Sequence, residues 1–239
     1  VSDHAADLMA CSMARLLVDG ETVFHGVASN LPLVAILLAR ATHAPGLVYL
    51  NIGGAVDARP TRLPKSTVDP ALSDGAACRV TLADFFDLSA RRRLDTVFLS
   101  GAQIDLHGNF NLSVIGPFDR PKVRLPGGAG SALLASTARR TILWRTRHDQ
   151  RAFVESLDFV SACGNVEWVV TPLAVLKRHE GSLRPESLHP GVTFEALQEA
   201  TGFELARPEV LPTTAPPTDE ERKTIEAIDP EGIRYLEFA

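Results

Sequence analysis

A chain of 239 residues with 45% hydrophobic composition can bury a sizeable core, and is most simply read as one domain over residues 1–206 followed by a tail. A formal net charge of −5, with no basic stripe beyond the RRR at 91–93, excludes nucleic acid as an expected partner. No apolar run reaches membrane-spanning length and no signal-peptide pattern opens the chain, so no membrane role is expected and a cytoplasmic location is the default.

Residues 3–18 place Ala6, Leu8, Met9, Met13, Leu16 and Leu17 on one helical face, with Ser2 as the cap and Gly20 as the stop. A short strand follows at 22–25. Ser29 or Asn30 caps the next helix, 31–41, which has Pro32 in its first turn and is apolar nearly all round, so it is expected to be buried. Residues 47–50 read as an interior strand, 82–91 as a helix and 97–99 as a buried strand. Strand, helix and strand in that order predict βαβ units, hence an α/β fold with an open, mostly parallel sheet and flanking helices. Further on come strands at 141–145 and 166–170, the segment 151–160, and a helix at 193–201 capped at its start and stopped by Gly202. From 207 the composition turns to Pro, Thr and acids (RPEVLPTTAPPTDEER), an extended tail over 207–239 whose apolar end, IRYLEF, is expected to dock on this chain or a partner.

Between these elements lie two stretches that carry chemistry. The segment DLHGNFN, residues 105–111, has the composition of a tight turn needing positive φ, with Asp105 capping backbone amides and His107 beside it. The loop RLPGGAG, residues 124–130, leads into a small, helix-tolerant run at 131–138; its glycines let backbone N–H groups approach a bound oxygen, and a helix N-terminus adds a favourable dipole. The histidines are scattered, with His25 and His43 flanking apolar segments as pocket-edge or surface residues, so no metal site is expected. Cys11, Cys78 and Cys163 are far apart and odd in number, and read as reduced thiols.

Taken together, GAQIDLHGNFN and PKVRLPGGAG resemble the β subunits of the family I CoA transferases of the glutaconate type. Gly101, Ala102, Asp105, Gly108, Asn109 and Asn111 fit the first motif, and Pro121, Lys122, Val123, Arg124, Leu125, Gly127 and Gly130 fit the second. The resemblance runs from about residue 6 to 205 and includes LHPGVTFEALQEATGF, similar to the family's C-terminal HPG-x-T…TGF signature. It implies a CoA-transferase-like fold, an α subunit as partner in a heterodimer or α2β2 assembly, an acyl-CoA substrate that brings its own CoA, and no further cofactor. The implied substrate- and CoA-binding residues are Gly53, Gly54, Gln103, Asn109, Lys122, Arg124, Gly127, Gly128, Ala129 and Gly130.

One residue departs from the pattern. Transferases of this family carry a glutamate in an E-x-G or E-N-G motif after an early strand, and it attacks the thioester to give an anhydride and then a glutamyl-CoA. The matching stretch here is VYLNIGG, residues 48–54; aligning the glycine at Gly53 puts Asn51 at that place, and a one-residue shift puts Leu50 or Ile52 there. None is a carboxylate, and the nearest acid, Asp57, lies beyond the double glycine. A family branch with the same loss, the β subunits of actinobacterial steroid-ring hydrolases, resembles this sequence and implies a catalytic glutamate on the α subunit. Asn51 is then a supporting group, with oxyanion donors expected from Asn51, Gln103, Asn109 or the amides of 127–130. Lys122 and Arg124 read as partners for a substrate carboxylate or CoA phosphate, or else as salt-bridged strand residues. Three functions follow: a ring-opening acyl-CoA hydrolase subunit, a dicarboxylate CoA-transferase subunit with a relocated nucleophile, and a non-enzymatic metabolite-binding or scaffold subunit.

Overall fold

A computed structural model describes residues 3–238. They form two compact units, one of residues 3–98 with 216–238 and the other of residues 99–215.

In the first unit, α1 (Asp3–Arg15) leads to β1 (Thr22–His25), α2 (Asn30–Ala41) and β2 (Val48–Asn51). α1 ends before its predicted limit because Leu16 and Leu17 tighten into bonds to Met13 and Ala14, three residues back; Ser2, its expected cap, lies outside the described residues. α2 is buried along most of its length, as its apolar circumference requires. Two short antiparallel strands, β3 (Ala55–Val56) and β4 (Cys78–Arg79), precede α3 (Leu82–Ala90) and β5 (Thr96–Leu99). α3 starts on a capping box in which Thr81 and Asp84 satisfy each other's backbone amides. β1 pairs in parallel with β2 on one side and β5 on the other, and β3 and β4 extend the β2 edge antiparallel.

The second unit opens with two small hairpins, β6 (Gln103–Ile104) with β7 (Phe110–Asn111), and β8 (Val114–Ile115) with β9 (Val123–Arg124). α4 (Ser131–Thr137) leads into β10 (Arg140–Trp144) and its parallel neighbour β11 (Val166–Val170). β12 (Ala174–His179) and β13 (Ser182–Leu188) continue this sheet antiparallel, joined by a two-residue turn at Glu180 and Gly181, both at positive φ. This hairpin is not apparent from the sequence. Residues 151–160 form no helix or strand of their own, although Phe153 bridges to Ile104. α5 (Phe194–Ala200) is capped by the Thr193 hydroxyl, and Thr213 then bridges to Leu188 at the β13 edge. The α/β class is as read, with the strands of each unit parallel on one side and antiparallel on the other.

The chain returns to the first unit as α6 (Asp219–Ile228) and a 3₁₀ turn over Ile233–Phe238, both packed on α1 and α2. α6 is a departure from the extended reading of this region. Its start is a second capping box, Thr218 with Glu221, and Glu221 also holds Arg15 of α1 at 2.6 Å. No helix among the described residues is long and apolar enough to cross a membrane.

Candidate active site

In the first unit, β1 sits between β2 and β5, so strand order reverses there, and ligands in open α/β sheets bind beyond the carboxyl ends of strands at such reversals. The residues brought to that edge are His25, Asn51 and Phe98, in register across the three strands. His25 is 0% exposed, not at a pocket edge or on the surface as its sequence context suggested. The ring's Nδ1 pairs with the Ser29 hydroxyl at 2.8 Å and its Nε2 with the Tyr49 hydroxyl at 2.7 Å. Ser29 also donates to the Gly26 carbonyl, so its hydroxyl serves the histidine and not the α2 amides. Burial draws the His25 pKa down to about 4 and pushes that of Tyr49 up, so both are neutral at physiological pH. His43, by contrast, is an exposed residue bonded to Thr42 and the Leu17 carbonyl.

Asn51 is 3% exposed and its amide is engaged inside the protein. Nδ2 donates to the Leu72 carbonyl at 2.7 Å, and Oδ1 accepts from the Ala55 amide at 3.1 Å. Asn51 therefore clamps the β2–β3 turn to the turn at Pro70–Ser73. Gly54 is demanded by that geometry: its φ is +82° and a Cβ would stand 2.3 Å from the Val80 carbonyl oxygen. Gly53 is exposed beside it. Asp57, the nearest acid, is held in a 3.0 Å ion pair by Arg40.

In the second unit, Asp105 accepts the amides of His107 and Asn109 at 2.9 Å each, which is the turn role its composition suggested. The Asn109 side chain also closes on Asp105, at 2.9 Å. Gln103 is buried between Asn111 and Asp158, accepting from the first at 2.7 Å and donating to the second at 2.8 Å. The side-chain donors of Asn109 and Gln103 are thus turned to the protein. Lys122 and Arg124 are exposed on the β8–β9 hairpin, and neither is salt-bridged among the described residues. The Arg124 guanidinium lies 5.0 Å over the Phe118 ring, which stacks in turn on Phe159. In the glycine loop, the Gly127 amide binds the Leu112 carbonyl at 2.7 Å, whereas the amides of Gly128, Ala129 and Gly130 make no hydrogen bond among the described residues. These three N–H groups are the open donors of the loop. α4 behind them has only seven residues, so the expected dipole contributes little beyond the amides themselves.

A further cluster of cationic side chains lies in the second unit. Arg145, Arg147 and Arg151 line a cavity of about 510 Å³ beyond the end of β10, with Ala102 and Gln103 on its wall. The signal was there, an R-x-R-x₃-R spacing directly after an apolar strand.

Three histidines, two buried and one half-buried, set a pH dependence. His148, stacked on Phe153 at 3.8 Å between Thr171 and Thr201, and His189, bonded to Thr214, are drawn down by burial to about 3 and about 4, as His25 is to about 4. Their folded pKa values lie below the ordinary 6.5, so the unfolded chain binds more protons as pH falls. Their stabilisation is fully present above pH 6.5 and is lost between there and about pH 4, at up to roughly 1.4 kcal/mol per pH unit for each group. Calorimetric melting is expected to be level from pH 8 to 7 and to fall steeply from 6 to 4; a level profile down to 4.5 would contradict the burial of these rings.

The coenzyme A transferase family model matches residues 7–200. The β subunit of the 3-oxoadipate CoA-transferase of Pseudomonas knackmussii is 33% identical over 242 residues, covering 93% of this chain and 92% of that protein. The cholesterol ring-cleaving hydrolase IpdB subunit of Mycobacterium tuberculosis is 32% identical over 251 residues, covering 98% of each. The crystal structure of the decarboxylase AibA/AibB matches with a TM-score of 0.92 at 34% identity, over 97% of both chains. The chain belongs to the coenzyme A transferase family.

Proposed function

We propose that this chain is the β subunit of a heteromeric enzyme that opens the last ring of a steroid-derived cyclic β-keto acyl-CoA by hydrolysis, with the catalytic glutamate on the α subunit. The observation that carries this reading is Asn51: the strand-end position of the family's nucleophile holds an amide, and that amide is buried and engaged. An amide forms no acyl anhydride and carries no CoA, and Asp57 is committed to Arg40. The similarity to the IpdB subunit supports the ring-opening chemistry, and the paired names AibA/AibB support assembly with an α subunit.

In this reaction a general base on the partner removes a proton from water, and the oxygen adds to the ring ketone to give a tetrahedral alkoxide. Collapse of the alkoxide breaks the carbon–carbon bond; the electron pair leaves as a thioester enolate, which is then protonated, and the ketone carbon becomes a carboxylate. Both oxyanions need fixed donors. The open amides of Gly128, Ala129 and Gly130 are the groups of this chain suited to that task.

The test is turnover by the co-purified complex in ¹⁸O-water with a cyclic β-keto acyl-CoA. One heavy oxygen in the new carboxylate is expected, with no hydroxylamine-trapped acyl or CoA adduct on this chain. A CoA-dependent hydroxamate at Asp57 would instead establish the transferase reading, which the similarity to the 3-oxoadipate enzyme supports. A second reading, decarboxylation of an acyl-CoA, is favoured by the TM-score of 0.92 to the decarboxylase, and would show as loss of one carbon with no label retained in the thioester product.

A further inference from the structure

We propose that the cavity beyond the end of β10, lined by Arg145, Arg147 and Arg151, binds an oxyanion of the acyl-CoA substrate: a phosphate of its CoA or a carboxylate on its acyl chain. The inference rests on the acyl-CoA reading above but not on which bond is broken. Arg145 follows directly on the buried strand, and its Nε is buried without a hydrogen-bond partner. Burial also pulls the pKa of this guanidinium down; the Asp149 charge offsets part of that cost and Arg147 adds to it. None of the three guanidinium groups makes a hydrogen bond or ion pair among the described residues. The one carboxylate in the wall, Asp149, uses Oδ1 to accept the amides of Arg151 and Ala152 at 3.0 and 2.9 Å. Three cations therefore share one space in a chain whose overall charge is −5, and a bound dianion would relieve their repulsion.

The chemistry of the lining selects the ligand class. Guanidinium forks match carboxylate and phosphate oxygens two at a time, and about 510 Å³ suits part of a small ligand. The position is also the one where parallel strands present ligands. A second cavity, of about 380 Å³, lies at the opposite ends of β10 and β11; Glu167 shares its lining, and its Arg139 and Arg140 already have partners.

The test uses the purified αβ complex and calorimetric titration with coenzyme A, 3′-dephospho-coenzyme A and adipate. Arg147→Gln, at an exposed position, and Arg145→Gln are compared with Arg91→Gln at the C-cap of α3, whose arginine pairs locally with Asp87. Loss of one charge-assisted contact is expected to weaken binding about tenfold to a hundredfold. If coenzyme A weakens in the two cavity variants and adipate does not, the oxyanion is a CoA phosphate, and an unchanged response to the dephospho form would then place it on the 3′-phosphate. If adipate alone weakens, the site holds an acyl carboxylate. Folded variants that bind all three probes within twofold of wild type, or a wild-type complex that binds none, overturn the proposal. The titration involves no turnover, so a complex that opens no ring yet loses affinity in Arg147→Gln would sink the functional reading and leave this site standing.

Discussion

Asn51→Asp should lower the melting temperature of the folded chain by about 10 °C, and Asn51→Ala by a comparable amount. In the wild type, Nδ2 donates to the Leu72 carbonyl and Oδ1 accepts from Ala55, at 2.7 and 3.1 Å, in a site 3% exposed. Aspartate keeps the shape but turns the donor into an acceptor, setting a carboxylate oxygen against a carbonyl oxygen. A buried charge left without a partner costs about 3–5 kcal/mol, and for a domain of this size each kcal/mol shifts melting by about 2–4 °C. Alanine leaves the carbonyl and the Ala55 amide unpaired, at about 1–3 kcal/mol apiece, and adds no charge. Differential scanning calorimetry on the three proteins checks both losses. An aspartate variant as stable as wild type would mean that the side chain faces solvent and is free to meet substrate directly.

The second large effect is at the other end of the chain. Arg234, 6% exposed, is bonded through Nε to Asp7 at 2.6 Å and through Nη1 to Asp229 at 2.9 Å, and the Asp229 side chain is wholly buried. Arg234→Ala strands that carboxylate and is expected to cost about 3–5 kcal/mol. Replacing both members, as Asp229→Asn with Arg234→Met, removes the charges together and should recover much of the loss. Limited proteolysis should show residues 216–238 cut first in the single variant. If Arg234→Ala melts within 2 °C of wild type, the ion pairs do not anchor this segment.

How much of this was legible beforehand follows from how local each signal is. The α2 helix and strands β1, β2, β5 and β11 announced themselves, since each is dominated by an apolar run bounded by turn residues, with at most one charge inside it. The β12–β13 hairpin did not: AVLKRH and SLRPESL mix charges into the alternation, and Pro185 argues against a strand except at an edge, which is where β13 lies. α6 was hidden by the proline-rich run ahead of it, although its T-x-x-E capping signature is plain. Asn51 stood out as an amide in place of an acid. Its inward direction was not readable, because the partner that turns it, Leu72, is 21 residues away. The same holds for His25, whose burial depends on Tyr49, 24 residues on.

The return of the chain to its first unit has a consequence for biosynthesis. Arg15 meets Glu221 across 206 residues, and Asp7 meets Arg234 across 227. At about 5–20 residues per second on the ribosome, α1 and α2 wait some tens of seconds for the segment that covers them, while the second unit, residues 99–215, is complete before it. The second unit is therefore complete before the first, and the apolar helix faces of the first stay open to chaperones until the returning segment has been made.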